Sequence, residues 1–279
     1  MAYKRILTIQ DISCVGQCSM TVALPILSAC GHETCILPTA VLSTHTGGFG
    51  KPEAVHLNGH LQKIYEHWIQ NGISFDAILV GYLGREESVD IVSDILDLML
   101  APNGISIVDP AMADHGRLYS GLSEGYASKM KALCAKADII LPNVTEAAMF
   151  AGMPYKETLD EDYVSQLLSQ LHHPCVVLTG IGYTQGQTGI VLCESEKQTY
   201  ISHKRIEKNF HGTGDMFAAC FTGALMQNLS KESAVRIAAE FVYRSIENTV
   251  KAPAHWYGVK FETALPKLIR VLFSEKPAE

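Results

Sequence analysis

Ile105-Ser106-Ile107-Val108-Asp109-Pro110-Ala111-Met112-Ala113-Asp114 begins as a short apolar run and ends in carboxylates. Further on, Glu124–Ala135 carries apolar residues three and four apart, the spacing of a helix with one buried face. Asp138-Ile139-Ile140-Leu141 then repeats the apolar run and gives way to Pro142-Asn143-Val144-Thr145-Glu146. Strand, helix and strand in that order make a βαβ unit, and its two strands must be parallel. Polar residues follow both strands, and ligands of open parallel sheets bind beyond those ends.

The same alternation extends in both directions. Arg5–Ile9, Thr34–Leu37, Ala77–Tyr82 and Cys175–Thr179 read as buried strands, while Ala54–Gln70, Ser88–Leu100 and Tyr163–Leu171 have helical period. Thr188–Glu194 and Gln198–His203 are separated by a short break, which predicts a hairpin extending the sheet. Helices over Gly214–Gln227, Lys231–Asn248 and Phe261–Phe273 complete the chain. The expectation is an α/β fold of three layers, doubly wound, with a mostly parallel sheet and helices on both faces. At roughly 150 residues per domain, 279 residues would allow two units. No linker, repeat or low-complexity segment divides them, so residues 1–279 read as a single domain.

Composition excludes several classes. Hydrophobic residues at 47% against 18% charged are enough for a large core. The 22 Lys and Arg against 29 Asp and Glu leave a net charge of -7 and no basic cluster, which argues against nucleic acid. Eight cysteines include no CxxC pair, and several lie in apolar runs, so they read as reduced, buried residues. Neither a signal peptide nor an apolar stretch long enough to span a membrane is evident, and a cytoplasmic protein is expected.

The polar residues after the strands converge on one rim. His211-Gly212-Thr213-Gly214-Asp215 precedes an apolar helix, so its glycines and the free N–H groups of the helix suit a phosphate. Asp215, at the mouth of this anion site, is placed to accept the proton of an attacking hydroxyl; alternatively it is a helix cap. Asp109, Asp114 and Glu146 supply hard oxygen ligands of the kind Mg²⁺ shares with substrate phosphates. Other motifs fail. Gly50-Lys51-Pro52 lacks the upstream glycine of a P-loop, and no GxSxG occurs. Gly180-Ile181-Gly182-Tyr183-Thr184-Gln185-Gly186 has one residue too many for a dinucleotide fingerprint and leads into a strand. His172-His173 reads as a solvated turn.

Taken together, these motifs resemble the ribokinase-like superfamily and, within it, the vitamin B6 kinases. Gly212-Thr213-Gly214-Asp215 is similar to the superfamily's anion hole and catalytic base. Asp109-Pro110-Ala111-Met112-Ala113-Asp114, with Gly116-Arg117-Leu118-Tyr119, resembles the B6-kinase Asp-Pro-Val-Met-Gly-Asp segment. Pro142-Asn143-Val144-Thr145-Glu146-Ala147 resembles the Pro-Asn-x-x-Glu-Ala segment near Mg-ATP, and Ser43-Thr44-His45-Thr46-Gly47 and Tyr82 resemble the pyridine pocket. The resemblance implies an ATP-dependent pyridoxal, pyridoxamine or pyridoxine kinase acting on the 5′-hydroxymethyl group. Gly212, Thr213, Gly214 and Asp215 would be catalytic. Asp11, His45, Thr46 and Tyr82 would bind the vitamer; Asp109, Asn143, Thr179, Gly180 and Phe217 the nucleotide; Asp114 and Glu146 the metal. The implied cofactors are ATP and Mg²⁺, with a monovalent cation such as K⁺ a further candidate, and the implied assembly is a homodimer.

Four residues depart from the B6 pattern. Asp11 replaces a serine, Ala113 a glycine, Leu141 a common threonine, and His211 precedes the glycines where a small apolar residue is frequent. A carboxylate at position 11 favours a protonated pyridine nitrogen over a neutral one. Hydroxymethylpyrimidine kinases, which the sequence also resembles, carry an Asp in the corresponding early loop, and that activity stays open as the alternative. The other alternative is a non-catalytic B6-binding protein on the same fold.

Overall fold

Ile6, Leu7, Thr8 and Ile9 point alternately to opposite sides and are all buried, because the strand that carries them, β1 (Arg5–Ser13), has a parallel neighbour on each edge and helices on both faces. The computed structural model describes residues 2–208, 210–252 and 254–274. The other strands are β2 (Glu33–Leu42), β3 (Ala54–His56), β4 (Phe75–Val80), β5 (Leu100–Val108), β6 (Ala113–Asp114), β7 (Arg117–Leu118), β8 (Ile139–Ile140), β9 (Cys175–Ile181), β10 (Gln187–Glu194) and β11 (Lys197–Lys204). Nine of them form one sheet in the order β11-β10-β9-β8-β5-β4-β1-β2-β3, and β6 and β7 form a separate small hairpin. The strands from β9 to β2 are parallel; β3, and the β10–β11 hairpin beside β9, run antiparallel at the two ends.

The helices are α1 (Met20–Ala29), α2 (Asn58–Gln70), α3 (Glu86–Met99), α4 (Glu124–Lys136), α5 (Val144–Ala151), α6 (Glu161–Leu171), α7 (Thr213–Met226), α8 (Lys231–Val250) and α9 (Leu265–Phe273). Leu7, Ile9, Ile78, Val80, Val176 and Leu178 pack on the layer formed by α2 to α6. Their strand neighbours Ile6, Ala77, Leu79, Cys175 and Val177 pack on α1, α7, α8 and α9. The two-residue period of the strands therefore divides the apolar residues into two cores, one on each face, as the three-layer expectation requires. Among the described residues no helix is long and apolar enough to cross a membrane.

Several elements differ from the sequence reading. Ala54, Leu57 and Leu61 keep helical spacing, yet Ala54–His56 is an edge strand paired with Ala40–Leu42, and α2 begins at Asn58. Helix α1 was not anticipated. It contains Pro25 and is apolar over most of its length, so it has no polar face to mark a period. Helix α5 was missed because it is short, although Asn143 and Glu146 form the capping box that starts it. His172 is exposed as read, but His173 is tied into the fold: its Nε2 lies 2.8 Å from the Ala137 carbonyl oxygen, and its Nδ1 lies 2.9 Å from the Cys175 carbonyl oxygen and 3.2 Å from the Cys175 nitrogen. The stretch from Gly180 to Gly186 leads into strand β10, as read, with residues 182–186 forming the turn after β9.

Candidate active site

Gly212 is the N-cap of α7 and sits at φ 80, a left-handed conformation natural to glycine. A side chain there would overlap the Gln17 carbonyl oxygen, so the chain turns into the helix only because position 212 is bare. The first-turn N–H groups of α7 have no partners within the helix and lie on the rim. Asp215 is in that turn but does not cap it. Its Oδ2 accepts the Ser19 N–H, from the loop between β1 and α1, at 2.9 Å. Burial pushes the Asp215 carboxyl up to about 6; the Ser19 amide opposes the rise, and the negative charge of Asp11 adds to it.

Asp109 follows β5 and Asn143 follows β8, on adjacent parallel strands. Asp109 Oδ1 accepts the Ala111 N–H at 3.2 Å, while a methyl group on Gly214 would lie 3.8 Å from Oδ2, so this carboxylate adjoins the start of α7. Asn143 caps α5 through Oδ1, and its Nδ2 donates to the Ala113 carbonyl at 2.7 Å. Glu146 is 1% exposed and accepts three backbone N–H groups: Met112 at 2.8 Å and Ala113 at 3.3 Å on Oε1, Asn143 at 2.9 Å on Oε2. It therefore joins the loops that follow β5 and β8. Asp114 is exposed, and its Oδ1 accepts the His115 N–H. Burial raises the Asp109 and Glu146 carboxyls above the usual range; for Asp109 the charges of Glu146 and Asp215 add to the effect.

No Lys or Arg forms an ion pair with Asp11, Asp109, Glu146 or Asp215 among the described residues. Nor do three His, Cys, Asp or Glu side chains there approach closely enough to hold a metal by themselves. A surplus of carboxylate charge without a complete protein cage fits a hard cation that takes its remaining ligands from phosphate and water. Beside these groups the Thr179 N–H donates to the Pro142 carbonyl at 3.0 Å, and exposed Gly180, at φ 79, has open space around it. Phe217 goes elsewhere. It is 6% exposed and stacks on Phe221 in the core between sheet and helices, because the second turn of α7 has rotated away from the rim.

The third group lies toward the β1–β2 side. Asp11 is buried at the register shift of β1, between Gln10 and Ile12, accepts the Ser13 hydroxyl at 3.1 Å and has its carboxyl raised by burial. Tyr82 follows β4; burial and the Asp11 charge push its phenol up. It also lines a polar cavity of about 450 Å³ together with His56, Arg85 and Tyr126. His45 Nδ1 accepts the Gly47 N–H at 2.9 Å, which leaves Nε2 to carry the proton, and its ring centroid is 4.6 Å from that of His211. Burial, then His211, lowers the His45 imidazole, so the ring is neutral near neutral pH. Thr46 is exposed beside it. Ser19, Gln17 and Tyr119 were not selected from sequence. The Tyr119 phenol, on the loop after β7, is pushed up by partial burial and by the negative charge of Glu146, Asp109, Asp114 and Asp215. Its signal was its place in the Gly116–Tyr119 segment.

A parallel sheet whose helix α7 opens on a bare glycine loop, with a carboxylate at its mouth and others across the rim, defines a ribokinase-like small-molecule kinase. The chain belongs to the phosphomethylpyrimidine kinase family, whose model matches residues 24–259. It is thus an ATP-dependent phosphotransferase by family. It is similar to the pyridoxine/pyridoxal/pyridoxamine kinase of Bordetella avium, 27% identical over 256 residues covering 88% of this chain and 85% of that one. The crystal structure of pyridoxal kinase from Lactobacillus plantarum superposes with a TM-score of 0.89 at 30% identity, covering 96% of this chain and 97% of that one. A Bacteroides thetaiotaomicron protein assigned as a phosphomethylpyrimidine kinase, crystallised with pyridoxal, gives 0.86 at 31% identity, with 95% of each chain covered.

Proposed function

We propose that the protein phosphorylates the hydroxymethyl group of pyridoxal or a related B6 vitamer with ATP. The observation that carries this reading is the position of Asp215, a carboxylate with a raised proton affinity held against the anion-binding turn of α7 and near Asp11. Asp215 takes the proton of the acceptor hydroxyl as its oxygen forms a bond to the γ-phosphorus; the bond to the bridging oxygen breaks and ADP leaves. The N–H groups of Thr213, Gly214 and Asp215 receive the developing charge of the transferred group. Asp11, with Tyr82, His45 and Thr46, surrounds the ring of the acceptor. Gly180, Thr179, Asn143 and Asp109 border the nucleotide. Asp114 and Glu146 would hold Mg²⁺, which supplies charge neutralisation along the phosphates.

A coupled ADP-release assay with pyridoxal, pyridoxamine, pyridoxine, hydroxymethylpyrimidine and ribose tests the reading. Turnover is expected with the B6 vitamers and not with ribose. Turnover with hydroxymethylpyrimidine alone would replace it by the second reading, which an aspartate in place of a serine at position 11 keeps open.

Two variants probe the subsites. Thr46→Val keeps the shape of an exposed side chain and removes its hydroxyl. The KM for the vitamer should rise about tenfold, the loss of roughly one hydrogen bond, while that for ATP stays put. An unchanged vitamer KM would move the acceptor site. Glu146→Gln replaces a carboxylate that accepts three N–H groups with an amide whose NH₂ opposes one of them. The Mg²⁺ dependence at fixed ATP should shift to higher concentration, and about 1–3 kcal/mol of stability should be lost. A Mg²⁺ titration superimposing on the parent's would remove Glu146 from the metal site.

A further inference from the structure

Gln17 sits at φ 48 in the loop between β1 and α1, a left-handed conformation that a non-glycine residue keeps only where its surroundings impose it. Those surroundings come from three places. Oε1 of its side chain accepts the His255 Nε2–H at 2.8 Å, and Nε2 donates to Glu262 Oε1 at 2.8 Å. The opposite ordering would set oxygen against carboxylate, so the amide has one orientation. Its carbonyl oxygen lies against bare Gly212, and its Cβ against Gly258. Two residues further on, the Ser19 N–H, itself at φ 50, meets Asp215. Apart from that amide, Asp215 is faced by Asp11 from β1, Cys18 from the same loop, Asp109 after β5 and Tyr119 after β7. None of these neighbours touches the Gln17 side chain by a hydrogen bond.

We propose that Gln17 is a positioning residue, a clasp that ties the β1–α1 loop to His255 and to the 3-10 turn at Phe261–Thr263, so that the Ser19 N–H holds the Asp215 carboxylate in line with the acceptor hydroxyl. The clasp spans the chain from residue 17 to residue 262, which ties the C-terminal segment to the loop that bears Ser19. It acts through one amide, so its contribution vanishes when the base is absent. The inference rests on Asp215 being the base.

A double-mutant cycle reads this directly. With pyridoxal, ATP and Mg²⁺, Gln17→Ala should lower kcat about tenfold, since small misplacements of a reacting group are costly, with the KM for ATP unchanged. In the Asp215→Asn background the same substitution should cost less than about twofold. Equal losses in both backgrounds would make Gln17 a general support of the loop and overturn the proposal. His255→Ala, which removes one of the two side-chain bonds, should show a smaller loss with the same dependence on Asp215. Parental kcat in both Gln17→Ala and His255→Ala would also overturn it. Amide hydrogen exchange at Ser19 separates this proposal from the functional reading. Gln17→Ala should speed that exchange about tenfold whether or not pyridoxal is the acceptor, and an unchanged rate would end the clasp.

Discussion

Asp215→Asn lowers kcat by about 10²–10⁴-fold, the usual contribution of general-base assistance, with little change in the KM for ATP. An alcohol does not ionise near neutral pH, so a positioned acceptor must take the proton as the new bond to phosphorus forms. Asn keeps the shape of the side chain and an oxygen for the Ser19 N–H, now 2.9 Å from Oδ2, but it has no basicity. The fold should survive and gain. Burial raises the Asp215 carboxyl to about 6, so the folded protein binds its proton more tightly than the unfolded chain, and stability falls as pH rises through the interval from about 4 to 6. The variant lacks that penalty, and its melting temperature at pH 8 should equal or exceed the parent's. The parent's kcat/KM should decline as pH falls through about 6, because the base works only when ionised. Turnover within threefold of the parent at pH 8 would remove Asp215 from the chemistry.

Gly212→Ala has an effect of comparable size for a different reason. Position 212 combines φ 80 with a side-chain direction occupied by the Gln17 carbonyl oxygen. An alanine meets a left-handed strain of about 1–2 kcal/mol and a collision with backbone, which cannot rotate aside. The turn must shift, carrying with it the N–H groups of α7 and the loop that bears Ser19. A displacement of about 1 Å at a reacting centre costs about 100-fold, so kcat should fall at least that far, with a lower melting temperature. Gly152→Ala is the control. That residue ends α5 at φ 66 with open space around it, so it incurs the strain without the collision. It should lose stability and keep its kcat. Equal kcat values for the two variants would show that neither the strain nor the contact with Gln17 at position 212 bears on turnover.

The sequence was most informative where physics is local. Short β-branched runs separated by helical period identify a parallel sheet between helices, because burial on both faces requires those patterns. Gly212-Thr213-Gly214-Asp215 marks a bare turn entering a helix, since a backbone conformation that needs glycine leaves glycine in the chain. The carboxylates Asp109, Asp114 and Glu146 were legible by their place after strands. What misled the reading was also local. Ala54 and Leu57 continue the period of α2 although they belong to an edge strand, and Phe217 follows Asp215 so closely that only the rotation of α7 separates core from rim.

The tertiary structure alone decided how these residues act on one another. Asp215 reads from sequence as either cap or base; the Ser19 N–H, 196 positions away, shows that it is not the cap. Glu146 reads from sequence as a metal ligand; what folding adds is three N–H groups on its two oxygens, which make it a tie between two loops. Gln17, His255 and Glu262 share no motif and meet only because the C-terminal segment returns to the β1–α1 loop. Local patterns register in sequence because each residue's neighbours are its chain neighbours. The proton affinity of Asp215 depends instead on burial and charge brought by β1 and its following loop, and those are properties of the folded chain.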